Sequence, residues 1–457
     1  MVLGAVGMLV GSRATSMGMV IGGQTLSGIG LTCGYLAVPL VSEIVPKYHR
    51  PAIGALTGVV AEGATSTGSI ISGAFIKYNV GGVGQGWRGG FYIGAGFYVV
   101  AFALLAIFYH PAARSNPENL SVWQRLRKVD WPGVFGLLGG LTMFLVGLQA
   151  GGNLYPWKSA KVLAPLIIGF VMLAFFVVWE WKGVNNGILH HSFFQHSNFS
   201  LVLVLAFVGG MILFGGQAFI PQEIVYLFTS DVILTGVYSL PFNLMSVGGS
   251  IVGGVWMGIT KEAKSAVIFS YVVMIVGNCL MIIMHPHINF AAWFFTNVLL
   301  ALAVGIQTAL LVIVVSVCTP NHLIAGAMAV IASIRALGGS IGITIFSQIF
   351  ASKVKTFVPT QIAERAIQAG LPAKSAADLV EALLAHSTAA LEKVPGITPS
   401  IIAAASDGMA NGYADAFRYV WYSLVPFAAI SLILSFFLKS TKAQMTAQIG
   451  AGVEHRH

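Results

Sequence analysis

The chain has 457 residues, of which 56% are hydrophobic and only 9% charged. A water-soluble domain carries about 25% charged residues, so this composition excludes a protein that covers its whole surface for water. The net charge of +9 comes without a basic stripe interleaved with aromatics, which excludes a nucleic-acid partner and fits the positive cytoplasmic loops of a membrane protein.

Read from the start, MVLGAVGMLV is apolar but lacks the basic flank of a signal peptide and is too short to span. It reads as the stub of a truncated helix. Apolar runs follow at 17–41, 51–76, 90–109, 132–150, 162–182, 199–228, 234–259, 265–284, 289–318, 322–351 and 419–438. Each is long enough, at roughly 20 residues, to cross a ~30 Å hydrocarbon core. With no water at that depth to satisfy the backbone, each must be helical. Several exceed a straight crossing and should tilt, kink or project beyond the bilayer. The expected fold is therefore an all-α, polytopic membrane protein of about twelve hydrophobic segments.

Two stretches do not span. Residues 111–131 form a polar, basic connector. Residues 352–418 form a long outer segment, helical in pattern over 360–394, with a turn at Pro395-Gly396 and mixed charge; an amphipathic cap and a solvated loop remain the two readings. Placing the loop after 17–41 inside puts Lys47, Arg50, Arg114, Arg125, Arg127, Lys128 and Lys182 on the cytoplasmic side with the C-terminal tail, against fewer cations outside. The sequons at Asn119 and Asn198 then face away from glycosylation. Cys33, Cys279 and Cys318 sit inside apolar runs without metal spacing and read as packing residues.

No catalytic constellation appears: neither a His-x-x-x-His pair, nor a phosphate loop, nor a nucleophile elbow. The chain is thus expected to be no enzyme, with no cofactor and no metal; the histidines at His190, His191 and His196 read as interfacial polar residues. The better lead is charge inside the membrane, which costs roughly 2.5–3.5 kcal/mol at mid-bilayer and so marks a pathway or a pair. Glu62 lies mid-span, and Gly58, Glu62, Thr65, Ser66, Ser69, Ser72 and Gly73 follow helical spacing on one small, polar face. That face could line a cavity, with Glu62 exchanging a proton or meeting a cationic substrate. A polar group bonded to a neighbouring helix is the alternative. Arg335 lies mid-span before Gly338, Gly339 and Gly342, whose bareness permits close helix packing. Gln217, Glu223, Asn243 and Gln307 are further cavity candidates. Pro221 and Pro241 interrupt two spans, as in helices that bind and gate, and Asp231 lies in the turn between them.

Several strings in order carry a family resemblance: LVSEIVPKYHRPAIG, GWRGGFYI, VDWPGVFGLLGGLTMFLVGLQAGGNLYPW, VVWEWKG, PQEIVYLFTSDVILTGVYSLPFN, SIRALGGSIGITIFSQIF, AGLPAKSAADLVEALLAH and VPGITPS. Together they resemble the fungal drug and toxin efflux branch of the major facilitator superfamily, fourteen-helix type, and within it the trichothecene efflux pump family. The resemblance implies a two-bundle helical fold with an incomplete N-terminal bundle (1–110), the cytoplasmic connector (111–131) and a linker helix pair (132–182). A C-terminal six-helix bundle (183–438, including the outer loop 352–418) and a cytoplasmic tail (439–457) complete it. Helices one and two of the family, and the charged loop after helix two, would be missing. The chain also has Gln24 where the family's fourth helix usually carries arginine. Its fifth helix keeps Gly54, Gly58, Gly63, Gly68 and Gly73 without the usual proline, and adds Glu62.

The implied function is secondary active export of small organic compounds or toxins by proton antiport. Lipid, a small-molecule substrate and protons would be the partners, in the plasma membrane or the vacuolar membrane. Glu62 and Arg335 are the candidates for proton and charge coupling, and Pro221, Pro241, Gly338 and Gly342 for gating and packing. A siderophore-type transporter of the same superfamily and a non-transporting remnant are the alternatives.

Overall fold

The computed structural model describes residues 1–35, 49–108, 121–127, 129–152, 154–183, 187, 193–194, 197–319, 323–385, 391 and 393–442. These form helices α1 (Val2–Ser12), α2 (Met17–Tyr35), α3 (Arg50–Lys77), α4 (Trp87–Phe108), α5 (Val122–Arg127), α6 (Trp131–Ala150) and α7 (Ala160–Val178). They continue with α8 (Ser197–Leu227), α9 (Val232–Thr260), α10 (Ala263–Met281), α11 (Phe290–Cys318), α12 (Ile324–Gln368), α13 (Ala376–Leu384) and α14 (Pro399–Ser435). Among the described residues there is no β-strand, only an isolated bridge between Gly151 and Tyr155. Ten of the helices are long and apolar enough to cross a membrane. Much of their apolar surface is exposed, including Phe97, Ile107, Phe135, Phe170, Ile259 and Phe295. Such surface is stable only against lipid.

Local chemistry sets the helix starts. Asp130 caps α6 by accepting from the Gly133 amide at 3.0 Å, with Pro132 in the first turn, where a missing amide proton costs nothing. Asp231 caps α9 by accepting from the amides of Ile233 and Leu234. Thr398, followed by Pro399, caps α14.

Helices α8 to α12 and α14 share one continuous buried core, with Leu205, Met211, Trp293, Val304, Leu310, Phe346 and Trp421 almost fully enclosed. Bare backbone allows its tightest contacts. A methyl at Gly210 would lie 2.0 Å from the Arg335 carbonyl, and one at Gly338 would lie 2.0 Å from that of Phe207, so α8 and α12 touch main chain to main chain. Asn198 ties the start of α8 to the end of α14, donating to the Lys439 carbonyl at 3.1 Å and accepting from its amide at 2.9 Å. Upstream of Phe193, the buried hydrophobic side chains among the described residues are Ala5, Ala14, Ala95, Val162 and Phe176. There α1 packs on α2 and α4, α6 packs on α7, and α3 lies mainly along α9 and then α11.

Three expectations change. Pro221 and Pro241 do not interrupt their spans, for α8 and α9 run unbroken through them. Neighbouring helices hold both rods straight enough to absorb one missing backbone bond each. Residue 351 is not the end of a helix: α12 continues to Gln368 through Pro359, and α14 begins at Pro399 rather than near 419. The chain between them turns at Gly370 and Gly396, both with positive φ, and includes α13. These parts form a cap with its own apolar core of Val358, Ile362, Leu379, Leu383 and Ile401, separate from that of the bundle. Finally, Cys279 is exposed while Cys318 is buried, so only the latter packs inside; the Cys33 side chain lies outside the described residues.

Candidate functional site

The polar stripe of α3 is turned toward α9. Gly58 meets Ser250, Gly73 meets the Val232 carbonyl, and Ile70 covers Gly236, so the two helices approach along most of their length. Glu62 is buried in this seam at 8% exposure, with Ser66 at 3% one turn on. Ser66 Oγ donates to the Glu62 main-chain carbonyl at 2.8 Å, so it is not a partner of the carboxyl. Glu62 Oε2 is buried without a hydrogen-bond partner. Thr65 and Ser69 belong to the same stripe in sequence, but their hydroxyls turn back to the carbonyls of Ala61 and Thr65; Thr65 is exposed and Ser69 half-buried. The stripe is a close helix seam with one carboxylate in it rather than the wall of an open chamber.

Arg335 approaches from α12. Its Nη2 donates to Thr308 Oγ1 on α11, and its charge reaches the Glu62 carboxyl through space. Beside it, Gln307 Nε2 donates to the Leu205 carbonyl at 3.1 Å and to the Tyr271 hydroxyl at 3.3 Å. Tyr271 itself donates to the Leu205 carbonyl at 3.0 Å. The structure therefore brings Glu62 of α3 near the half-buried Arg335 of α12, with Thr308 on α11 as its bonded partner, and next to Thr308 it joins Gln307 to α8 and α10. Gly338 and Gly342 lie on the α12 face against Phe207 and Met211, which fixes the depth of Arg335. Asn243 is buried on α9 and Gln217 half-buried on α8. Glu223 is buried near the cap end of α8, facing Trp421 of α14.

Sequence reasoning missed Thr308, Tyr271, Ser250 and Trp421. Ser250 had a signal, since it stands among small residues on α9; nothing in the sequence pairs Trp421 with Glu223. At the two ends of α3, Lys77 Nζ lies 2.5 Å from Asp231 Oδ2, and Arg50 Nη1 donates to the Ser316 carbonyl. Hydrogen bonding from Lys77 holds the Asp231 carboxyl below the usual carboxylate range. No cluster of three His, Cys, Asp or Glu side chains with metal-binding geometry forms among the described residues, and His190, His191 and His196 lie outside them.

Apolar rods of bilayer length with ionisable groups turned inward define a multi-pass membrane protein. The model of the fungal trichothecene efflux pump family (TRI12) matches residues 1–457, and the chain belongs to that family: it is a transporter of the efflux type. Its relatives include MFS transporter L2 of a Phoma species, 25% identical over 94% of this chain and 68% of that one. The MFS-type efflux transporter ffsH of Aspergillus flavipes is 27% identical over 98% and 77%. The trichothecene efflux pump TRI12 of Trichoderma arundinaceum is 25% identical over 98% and 75%. A bacterial homologue of the human lysosomal transporter Spinster matches with a TM-score of 0.39 and 13% identity, over 97% of this chain and 95% of that one. That likeness is too distant to carry an argument.

Proposed function

We propose that the chain exports small hydrophobic organic compounds, toxins among them, in exchange for protons, and that Glu62 carries the exchanged proton. The observation behind this reading is the Glu62 carboxyl, buried in the α3–α9 seam with Oε2 unbonded and within the field of Arg335. A buried charge is retained in a membrane helix only where it is paired or used. Taking up a proton removes the negative charge from the seam and ends the attraction between Glu62 on α3 and Arg335 on α12, so α3 is released to move against α12. Losing the proton restores the attraction. Such a carboxylate joins a chemical gradient to helix motion. The family description and the efflux transporters among the relatives support the direction and the substrate class. The positive loops support a cytoplasmic C-terminus, with the cap on the opposite face of the plasma membrane or the vacuolar membrane.

The test is transport in proteoliposomes of the chain, loaded with a fluorescent hydrophobic compound under an imposed pH gradient. Glu62→Gln is expected to lower gradient-driven movement at least about tenfold, with the pH dependence flattened. Wild-type pH dependence in that variant would remove Glu62 from the mechanism.

A further inference from the structure

Glu223 is the most enclosed carboxylate among the described residues, at 1% exposure, and its Oε2 has no hydrogen-bond partner. It sits two residues after Pro221, in the last two turns of α8, near the plane where the cap begins. Among the described residues the polar side chain placed against it is Trp421 of α14, whose indole N–H makes no completed hydrogen bond to the carboxyl. Rings flank it one turn away on either side along α8. Phe219, one turn earlier, packs edge-on against Phe346 and Phe350 of α12. Tyr226, one turn later, stacks on Tyr413 of α14 with centroids 4.1 Å apart, and Phe350 meets Phe417 at 4.4 Å.

The charged groups of the packed elements are engaged elsewhere. On α14, Arg418 pairs with Asp415 at 2.9 Å, and Asp407 pairs with Arg365 of α12 and with His287. On α12, Lys353 lies over the Tyr419 ring, Lys355 donates to the Gly152 carbonyl, and Arg335 to Thr308; Glu364 lies further out, in the cap stretch of the helix. The only titratable side chain of α9 is Tyr238, α11 has only Cys318 at its last residue, and α8 itself adds only Tyr226. A buried ionised carboxylate flanked by rings, with no cation paired to it among the described residues, is costly to keep.

We propose that Glu223 is a second proton-binding site, and that its protonation state sets whether α8 and α14 stay closed at the cap end. With the O–H bond formed, the neutral acid is flanked by the rings and lies against the Trp421 N–H. When that bond breaks, the proton passes to water at the cap end, and the carboxylate left behind needs hydration. The aromatic contact between Tyr226 and Tyr413 must then part to admit water. The site differs from Glu62 in element, depth and partner, and the inference rests on the proton-coupled reading above.

Infrared difference spectroscopy of the reconstituted chain between acid and alkaline pH separates the two. One component of the carbonyl absorption of protonated carboxylic acids should disappear in Glu223→Gln and shift in Trp421→Phe, which keeps the acid, while the Glu62 component remains. In transport, Glu223→Gln should lower pH-gradient-driven export at least about tenfold while retaining gradient-independent binding of the fluorescent compound. If Glu223→Gln keeps both the full absorption and the pH profile of the wild type, while Glu62→Gln loses a component and the profile, the Glu223 site falls and the Glu62 reading stands. If neither variant changes either readout, both fall. Should Glu223→Gln not reconstitute, an unshifted band in Trp421→Phe would by itself overturn the proposal.

Discussion

At the scale of single residues, the bundle is held by side chains that are absent as much as by those present. Gly210 and Gly338 face each other's helix at main-chain distance, so an added methyl has nowhere to go but into a carbonyl oxygen. Overpacking of this kind costs about 1–3 kcal/mol. Gly338→Ala and Gly210→Ala should each lower the thermal unfolding temperature in detergent. Gly63→Ala, where nothing lies within 4 Å, should be neutral or slightly stabilising through helix propensity. Equal effects at all three positions would show that the α8–α12 contact is looser than described. Asn198 gives the opposite case, a side chain whose two bonds close the bundle at the end away from the cap. Asn198→Ala leaves the Lys439 main chain without partners and should cost about 1–3 kcal/mol by the same measurement; Asn198→Asp keeps the acceptor and loses the donor, and should fall between.

At the scale of elements, α3 is the helix with most to explain, because it binds α9 along its length and is pinned at both ends. At the cap end the pin is Lys77 to Asp231, which also caps α9. Asp231→Asn separates the two duties: asparagine caps a helix as well as aspartate but carries no charge. The bond from Lys77 lowers the proton affinity of Asp231 in the folded chain. Its stabilising contribution is therefore complete above the unfolded value of about 3.9 and disappears as pH falls through the lower folded value. Between pH 5 and 8 the seam should be insensitive to pH on this account. Asp231→Asn should resemble the wild type in strong acid and be weaker than it at pH 7. If Asp231→Asn matched the wild type at pH 7 while Asp231→Ala did not, the cap bond alone would matter and the lysine contact would contribute nothing.

The elements also show how far the sequence could be read. Run length and polarity located every long helix, and put the starts of α6 and α9 at 132 and 234, one and two residues from Trp131 and Val232. Hydropathy, however, reports where a rod leaves lipid, not where it stops being a helix. The stretch from Ser352 to Gln368 turns polar while staying rich in residues that tolerate a helix, so α12 runs on where the apolar signal ended. Prolines mislead in the same way, since a lone missing amide proton in α8 or α9 is absorbed by packing that no local pattern records. The site was legible in its charges and not in its pairings. Helical spacing put Glu62 beside Ser66 and Gly73, and buried all three. It also put Thr65 on that face, but a residue three on from Glu62 is rotated toward the stripe's margin, and Thr65 is exposed. That Arg335 acts on Glu62, or that Trp421 closes over Glu223, follows only from how distant helices cross.

At the scale of the molecule, the bundle and the cap are two cores joined by two continuous rods. Helices α12 and α14 pass from one to the other without a break, and within the cap they clasp α13 through Val358, Ile362, Leu379 and Ile401. Polar contacts anchor the cap to its surroundings: His287 Nε2 lies 2.6 Å from Asp407, and Gln348 and Lys355 reach the carbonyls of Gln149 in the last turn of α6 and of Gly152 just after it. A rigid rod transmits displacement, so any movement of α14 against α8 must carry the cap with it. A separate core means that the cap should also fail separately. Leu379 is fully buried there and makes no part of the bundle core. Leu379→Ala should cost the cap about 2–5 kcal/mol. Because α12 and α14 are held in the bundle by their own interfaces, that loss should appear as new protease cleavage between about residues 369 and 398, while the main thermal transition in detergent moves little. Cleavage unchanged from the wild type would mean that the cap draws its stability from the anchors rather than its own core. A main transition lowered in step with the cleavage would mean that the two cores unfold as one.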